Sequence, residues 1–179
     1  MIRVLGRSDA AGFRALRLEA LRQCPAAFGS SYETEQLVTE AGFADRIPDH
    51  PPDAIFGAFP DGDAGGLSGM LGFRVHANPK ERHKAMLWGM YLRPAIRRRG
   101  IATALLQRAI GHAATIAGLE IIQLSVVTEM QSARALYDQA GFVVYGIERR
   151  ALRLAPDDYR DEELRALDLL RDPAVRHSG

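Results

Sequence analysis

Residues 87–106, LWGMYLRPAIRRRGIATALL, combine an apolar run, a proline, three consecutive arginines and a glycine. The apolar run that ends at Leu92 is of the kind found in strands buried on both faces. Pro94 cannot continue a hydrogen-bond ladder, and Gly100 precedes apolar residues at helical spacing. The stretch therefore predicts a central strand at 85–92, a basic turn and a long helix over 100–117.

The predicted start of this helix is a candidate anion site. The first amides of a helix have no intrahelical partner and carry about half a positive charge, so they bind and stabilise a phosphate. Gly100 and Ala102 would let a phosphate approach closely. Arg97 is best placed to fold over it, whereas Arg98 or Arg99 could point to solvent. The alternative is an ordinary solvated basic turn.

The remaining sequence predicts one domain over residues 1–170, followed by a frayed tail at 171–179. Upstream of the central strand we expect a strand at 2–5, a helix at 9–22 capped by Ser8 or Asp9, a second helix within 31–47, and a hairpin of strands at 54–59 and 67–77 joined by a turn at 60–66. Downstream we expect a strand at 120–127, a short helix at 132–140, a strand at 142–154, an acidic turn at 157–163 and a last strand near 164–170.

Composition excludes several classes of function. The net charge of +1 over 179 residues argues against a nucleic-acid-binding protein. No apolar run approaches the roughly 20 residues of a spanning helix, and the start of the sequence lacks the apolar core of a signal peptide, so we expect no membrane partner and a cytoplasmic location. The sequence has a single cysteine, Cys24, and its five histidines include no closely spaced ligand pair, so we expect no metal site.

Two spaced groups of residues carry a resemblance to a known family. Arg97, Gly100 and Ala102 are spaced as Gln or Arg, two residues, Gly, one residue, Gly or Ala. A second group further along consists of Ala133, Leu136, Tyr137, Gly141 and Phe142. In both groups the chain resembles the GCN5-related N-acetyltransferases (GNATs), and the likeness in element order extends from residue 2 to about residue 170.

The resemblance implies an α+β fold with a mixed central sheet of six to seven strands, about four flanking helices and two splayed central strands. It also implies direct transfer of acetyl from acetyl-CoA to a primary amine of a small molecule or protein. In that scheme backbone groups of Leu92 bind pantetheine, the Met90 amide stabilises the reacting carbonyl oxygen, and Tyr137 protonates the leaving thiolate. The implied cofactor-binding residues are Tyr91, Leu92, Arg97, Arg98, Arg99, Gly100, Ile101, Ala102, Thr103, Ala133 and Tyr137.

The proton acceptor and the amine remain open at this point. The central strand has no carboxylate, which leaves His76 and Glu33 or Glu35 as candidate bases. Together with Tyr32 they are the predicted acceptor-side residues. Tyr137 has an alternative as a core aromatic, and we expect Trp88 to be buried in the core.

One position departs from the family pattern. Met130 stands where many GNATs have asparagine, and Thr128 with Gln131 could supply a capping box in its place. The departure, with the missing strand carboxylate, leaves a CoA-binding regulatory module with a degenerate site as the alternative function. In either case we expect a monomer or a homodimer.

Overall fold

The computed structural model describes residues 1–60 and 65–170, and in these ranges seven strands form one mixed sheet. The sheet order is β1-β2-β3-β4-β5-β7-β6. The strands are β1 (Ile2–Val4), β2 (Ala54–Ala58), β3 (Gly69–Val75), β4 (Lys84–Leu92), β5 (Ile121–Val127), β6 (Val143–Ala155) and β7 (Asp158–Asp168). The helices are α1 (Ala10–Gln23), α2 (Tyr32–Glu35), α3 (Glu40–Ala44), α4 (Ile101–Ala114) and α5 (Gln131–Gln139). The tail at 171–179 and residues 61–64 of the predicted turn lie outside the described residues.

The predicted central strand is confirmed, because β4 lies in the middle of the sheet order. It runs antiparallel to β3 and parallel to β5. A parallel pair needs a long crossover connection, and α4 supplies it. The predicted α+β fold with its mixed sheet is therefore confirmed.

Helices cover both faces of the sheet, and each face has its own apolar core. One core contains the buried side of α4 together with Tyr137 and Phe142. The other contains α1 and α3 residues, including Phe13 and Phe43, whose rings meet edge to face at 5.4 Å. Burial on both faces explains why the β4 sequence reads as a continuous apolar run.

The second helix predicted within 31–47 is in fact two short helices, α2 and α3. Ser31 begins the first, and its side chain accepts a hydrogen bond from the Thr34 amide. Thr39 begins the second in the same way through the Gly42 amide. Two capping residues within one segment start two helices, since each favours extended backbone at its own position.

The predicted acidic turn at 157–163 is wrong. Its residues lie mostly in β7, and Ala155 pairs directly with Asp158, so the turn is confined to Pro156 and Asp157. Arginines neutralise the strand carboxylates: Asp158 pairs with Arg160, Asp161 with Arg149, and Glu163 with Arg165. This pairing removes the repulsion that would otherwise disfavour so acidic a strand.

Both capping predictions are also wrong. The Asp9 carboxylate binds the Gly6 amide and the Arg3 guanidinium, so it caps the 3-10 helix Arg7–Asp9 instead of α1. Thr128 donates its hydroxyl proton to Glu129, and α5 begins at Met130 without a side-chain cap. In each case a nearby charged partner competes successfully for the side chain.

Candidate active site

A β-bulge interrupts the central strand next to its carboxyl end. Met70 of β3 faces Tyr91, whereas Gly72 faces Trp88, so β4 has one residue more than β3 between these pairs. The extra residue is accommodated at Gly89, whose φ of 67° lies in the left-handed region that favours glycine. The bulge changes the alternation of side chains along β4.

The bulge places Trp88 and Tyr91 on the same face of the sheet, where both pack against the core beneath α1. Side chains three positions apart on a regular strand would point to opposite faces. The indole lies directly over Gly72, where any Cβ would overlap it. Trp88 is only partly buried, so the prediction that it belongs to the interior core needs correction.

The two central strands, β4 and β5, separate after Met86, toward the bulge in β4. Parallel pairing between β4 and β5 is restricted to Lys84–Met86 and Ile121–Gln123. Further along, β5 pairs only with β7 among the described strands. Gly89 and Met90 have no register partner in either β3 or β5. Their backbone groups are therefore outside the regular ladders, as the predicted splayed strands require.

A cleft occupies the opening between these strands. Its walls are formed by 87–90 of β4, 124–127 of β5 and the α5 side chains Ala133 and Tyr137, with Met130 and Phe28 at its margins. The predicted residues Met90, Ala133 and Tyr137 are thus brought together at one cleft.

Tyr137 contributes both to this cleft and to the core. It is 6% exposed, and its ring meets Phe142 edge to face at 5.8 Å. Burial raises the pKa of Tyr137 to about 12, although the positive charge of Arg165 acts in the opposite direction. The phenol therefore keeps its proton throughout the neutral range, which is the state a proton donor needs.

The start of α4 is open and basic. Gly100 is its N-cap with a φ of 74°, and among residues 1–60 and 65–170 no atom beyond its local backbone and chain neighbours lies within 4 Å of the position that its Cβ would occupy. Arg98 and Arg99 are exposed. Arg97 Nε donates a hydrogen bond of 2.9 Å to the Leu92 carbonyl, and its guanidinium lies 5.6 Å from the Tyr91 ring centroid. Arg97 thus connects the end of β4 with the helix start.

The remaining cofactor-side residues divide between helix and strand. Ile101, Ala102 and Thr103 form the first turn of α4, whose amides lack intrahelical partners by geometry. The Tyr91 side chain points away from this turn, because its hydroxyl lies 3.1 Å from Glu19 Oε1 and 2.9 Å from Gln23 Oε1 on α1. Of the two parts of Tyr91, only its backbone is therefore directed so that it could contact a predicted cofactor.

A second, wider groove lies between the α1–α2 connection and β6. Tyr32 and Glu33 line it, opposite residues 151–154 of β6. Phe28 lines both the groove and the cleft, so the two openings adjoin at its ring. The predicted acceptor residues Tyr32 and Glu33 therefore lie beside the cleft.

Glu35 and His76 are not among the residues that line the cleft or the groove. Glu35 is 7% exposed and is bound by Arg17 at 3.4 Å and by Arg46 at 2.9 Å. Burial acts to raise its pKa, but the charge of Arg17 and hydrogen bonds from Arg17 and Ser30 prevail, so that the pKa of Glu35 is lowered. The His76 amide bonds to Lys84 at the opposite end of β4, about 20 Å of strand from Met90.

Two residues next to the cleft, Phe28 and Arg17, were not identified from the sequence. Phe28 follows a proline-containing connection that shows no pattern. Arg17 did leave a signal, because it interrupts the buried side of α1 between Phe13 and Leu21. A charge within an apolar helix face indicates a paired or functional group.

Two features of the described residues concern other functions. In 1–60 and 65–170, no helix has the length and apolar character that crossing a membrane requires. Over the same ranges, no group of three or more His, Cys, Asp or Glu side chains is arranged to hold a metal ion.

A mixed sheet that splays at a central bulge, beside a helix that begins at an open glycine, defines the N-acetyltransferase class of folds. The model of the acetyltransferase (GNAT) family matches residues 15–142, and the chain belongs to that family. No curated protein matches the sequence.

Solved structures support the same fold over nearly the whole chain. A GNAT-family acetyltransferase from Streptococcus pneumoniae is 24% identical with a TM-score of 0.80, covering 94% of this chain and 98% of that one. A GCN5-related N-acetyltransferase from Kribbella flavida is 20% identical with a TM-score of 0.78, covering 94% and 96%. A Salmonella typhimurium protein described as an acetyltransferase, solved with its cofactor acetyl-CoA, is 17% identical with a TM-score of 0.72, covering 94% and 92%.

Proposed function

We propose that this protein transfers acetyl from acetyl-CoA to a primary amine by direct attack of the amine on the thioester. The observation that carries the proposal is the bulge, which leaves Gly89 and Met90 without ladder partners in a cleft at β4, and Arg97 connects the end of β4 with the open start of α4. The Salmonella structure with acetyl-CoA supports this choice of cosubstrate, because it has the same fold.

The α4 start would hold the pyrophosphate. Amides of the first turn, Ile101, Ala102 and Thr103, provide donors and the positive end of the helix dipole. The glycine at position 100 leaves the space that a phosphate needs. Arg97, Arg98 and Arg99 add positive charge, and Arg97 is anchored at Leu92 in a position to close over the phosphates.

The cleft would hold the pantetheine arm and the thioester. Those backbone groups of Tyr91 and Leu92 that are not used in the pairing with β3 or in the bond from Arg97 extend the arm's hydrogen bonding along β4, with Ala133 forming the opposite wall. The Met90 amide donates to the carbonyl oxygen, whose negative charge grows as the amine attacks. Tyr137 donates its retained proton to the departing sulfur.

The acceptor would enter through the groove beside Tyr32 and Glu33. A lysine-like amine has a pKa near 10.4, so its deprotonation at pH 7 costs roughly 4.6 kcal/mol and requires a proton acceptor. Glu35 is poorly suited to that role, because two arginines bind it and its pKa is lowered. Glu33 is exposed in the groove and can receive the proton through water. His76 stays a prediction that this geometry does not support.

Several other predictions accompany this function. We propose a cytoplasmic enzyme that acts on a small molecule or peptide, as a monomer or homodimer, without a metal, nucleic acid or membrane partner. Detection of acetylated product and free thiol with a panel of amines distinguishes this enzyme from a CoA-binding regulatory module, which would bind CoA without turnover.

Replacement of Gly100 tests the proposed pyrophosphate site. Gly100→Asp places a side chain and a negative charge against the phosphates, and we expect acetyl-CoA affinity to fall at least about ten-fold. Isothermal titration calorimetry measures the change in Kd.

A matched control exists at the other end of α4. Gly118 has a φ of 78° and equally open surroundings, so Gly118→Asp introduces the same backbone strain and charge away from the proposed site. We expect Gly118→Asp to retain acetyl-CoA affinity. Equal affinities of the two variants would contradict the proposed position of the pyrophosphate.

A further inference from the structure

Arg17 is a buried cation with an unused hydrogen-bond donor. It is 7% exposed, and its Nη2 makes a long 3.4 Å contact with Glu35. Its Nη1 is buried and has no hydrogen-bond partner among residues 1–60 and 65–170. Native proteins keep few buried charged donors without an acceptor, because such a group loses its hydration without compensation.

This donor lies at the bulge. Arg17 Nη1 is 3.5 Å from the position that a Cβ on Gly89 would occupy, and the Arg17 guanidinium carbon lies 4.8 Å from the Phe28 ring centroid. Gly89 and Phe28 both line the cleft. Because residue 89 is a glycine, it places no side chain between Arg17 Nη1 and the cleft.

The charge around this donor is unbalanced. One carboxylate, Glu35, is shared between two guanidiniums, those of Arg17 and Arg46. The adjoining groove adds Arg22 and Arg153 against the single carboxylate of Glu33. This side of the site is therefore net positive.

Three carboxylates of the nearby acidic segment do not offset that charge. Asp158, Asp161 and Glu163 are each bound by arginines of the β6–β7 hairpin or α5. An acceptor that carries a negative group as well as its amine therefore finds a complementary field beside Arg17.

We propose that Arg17 Nη1 binds a carboxylate carried by the acceptor close to its reacting amine, so that the acceptor is an amino acid or an analogue of one. The inference rests on the proposed acetyl transfer and names its substrate class. A carboxylate at Nη1 and an amine near Met90 suit a molecule that holds both groups close together. Glu35 is then a positioning residue, because it holds the Arg17 guanidinium toward the bulge.

Product binding tests the inference in the unmodified protein. N-acetylated L-amino acids and their N-acetylated carboxamides differ in the carboxylate alone, and neither has an ionisable α-amine. We expect at least one carboxylate form to inhibit about ten-fold more strongly than its carboxamide, because charge-assisted hydrogen bonds are the stronger kind. Equal inhibition by both forms across the panel would overturn the proposal.

Substitutions of Arg17 test whether this residue is the group that recognises the carboxylate. The measured quantity is kcat/KM for an amino acid divided by kcat/KM for its carboxamide. Arg17→Gln should lower this ratio at least about ten-fold, and Arg17→Lys should lower it less. Arg46→Gln is the matched control, since it removes the other cation on Glu35, and it should leave the ratio unchanged. An equal shift in the Arg17→Gln and Arg46→Gln variants would contradict a direct contact from Arg17.

Peptides distinguish the source of the carboxylate. A preference for peptides beginning with Asp over those beginning with Asn would place the carboxylate on a side chain and would overturn the assignment of an amino acid as the acceptor. If no amine of either kind is acetylated, the proposed function fails and this inference with it. Acetylation that is equally fast with and without the carboxylate contradicts the inference alone.

Discussion

Among single residues, Tyr137 occupies a position that suits both of the roles that the sequence presented as alternatives. Its helix face packs into the core, and the same ring also lines the cleft between the splayed strands. Burial among apolar neighbours raises the pKa of its hydroxyl to about 12. A core position and a proton-donor role are therefore compatible, because burial keeps the proton on the oxygen.

Removal of the Tyr137 hydroxyl should lower turnover more than binding. For Tyr137→Phe we expect kcat to fall about 100-fold, because general acid catalysis typically contributes that much, with little change in the Kd of acetyl-CoA. Steady-state kinetics and calorimetry measure the two effects. Tyr145→Phe, at an exposed tyrosine of β6, serves as the control.

The pH profile supplies a second check on Tyr137. A group with a pKa of about 12 remains protonated at all lower pH, so titration of this phenol should not reduce kcat between pH 7 and 9. A decrease in that interval that disappears in Tyr137→Phe would show a lower pKa. Unchanged kcat in Tyr137→Phe would refute the proton-donor role.

At the scale of secondary structure, the bulge in β4 depends on glycines in two strands. Gly89 takes the left-handed conformation, and Gly72 of β3 provides the surface on which the Trp88 ring lies. The sequence shows both glycines but not their register, since pairing is set by which residues face each other across strands.

Gly72→Ala should disturb this arrangement, because the new methyl group overlaps the Trp88 ring. We expect destabilisation by about 1–3 kcal/mol, as for other overpacked sites. Urea unfolding measures the change, and the fluorescence of the single tryptophan reports the displaced ring directly.

Gly111→Ala is the control for this substitution. Gly111 lies within α4, and in the described part of the chain no atom outside its own helix backbone lies within 4 Å of its Cβ position, so alanine there should stabilise the fold by up to about 1 kcal/mol. Gly72→Ala with unchanged stability and unchanged fluorescence would show that the strand pair can move apart freely.

At the scale of the whole molecule, the proposed cosubstrate would join elements from several parts of the chain. The cleft is formed by β4, β5 and α5, and the helix start at Gly100 adjoins the end of β4. A ligand bound across these elements stabilises the folded state, because it binds only when they are assembled.

Acetyl-CoA should therefore raise the unfolding temperature. At 100 times its Kd the expected stabilisation is about 2.7 kcal/mol, which corresponds to a rise of several degrees. Differential scanning calorimetry measures the shift. Acetyl-pantetheine lacks the pyrophosphate and should give a much smaller shift at the same concentration. Equal shifts for the two compounds would indicate that the α4 start does not bind the phosphates.

The sequence alone determined the family, the alternation of elements and the proposed cofactor end of the site. That end is formed by a contiguous strand, turn and helix start, so its geometry follows from local backbone rules that can be read along the chain. The periodic apolar residues of α4 likewise predicted a long helix over 100–117, and the observed helix is one residue shorter at its start and three residues shorter at its carboxyl end.

Only the tertiary structure decided the acceptor side. Arg17, Phe28 and Gly89 come from three separate segments, and Glu35, which the sequence suggested as a base, proved to be bound by two arginines. The bulge that brings Trp88 and Tyr91 to one face depends on strand register. Contacts between distant segments arise from packing of the whole fold, and no local pattern in the sequence specifies which charge will meet which backbone.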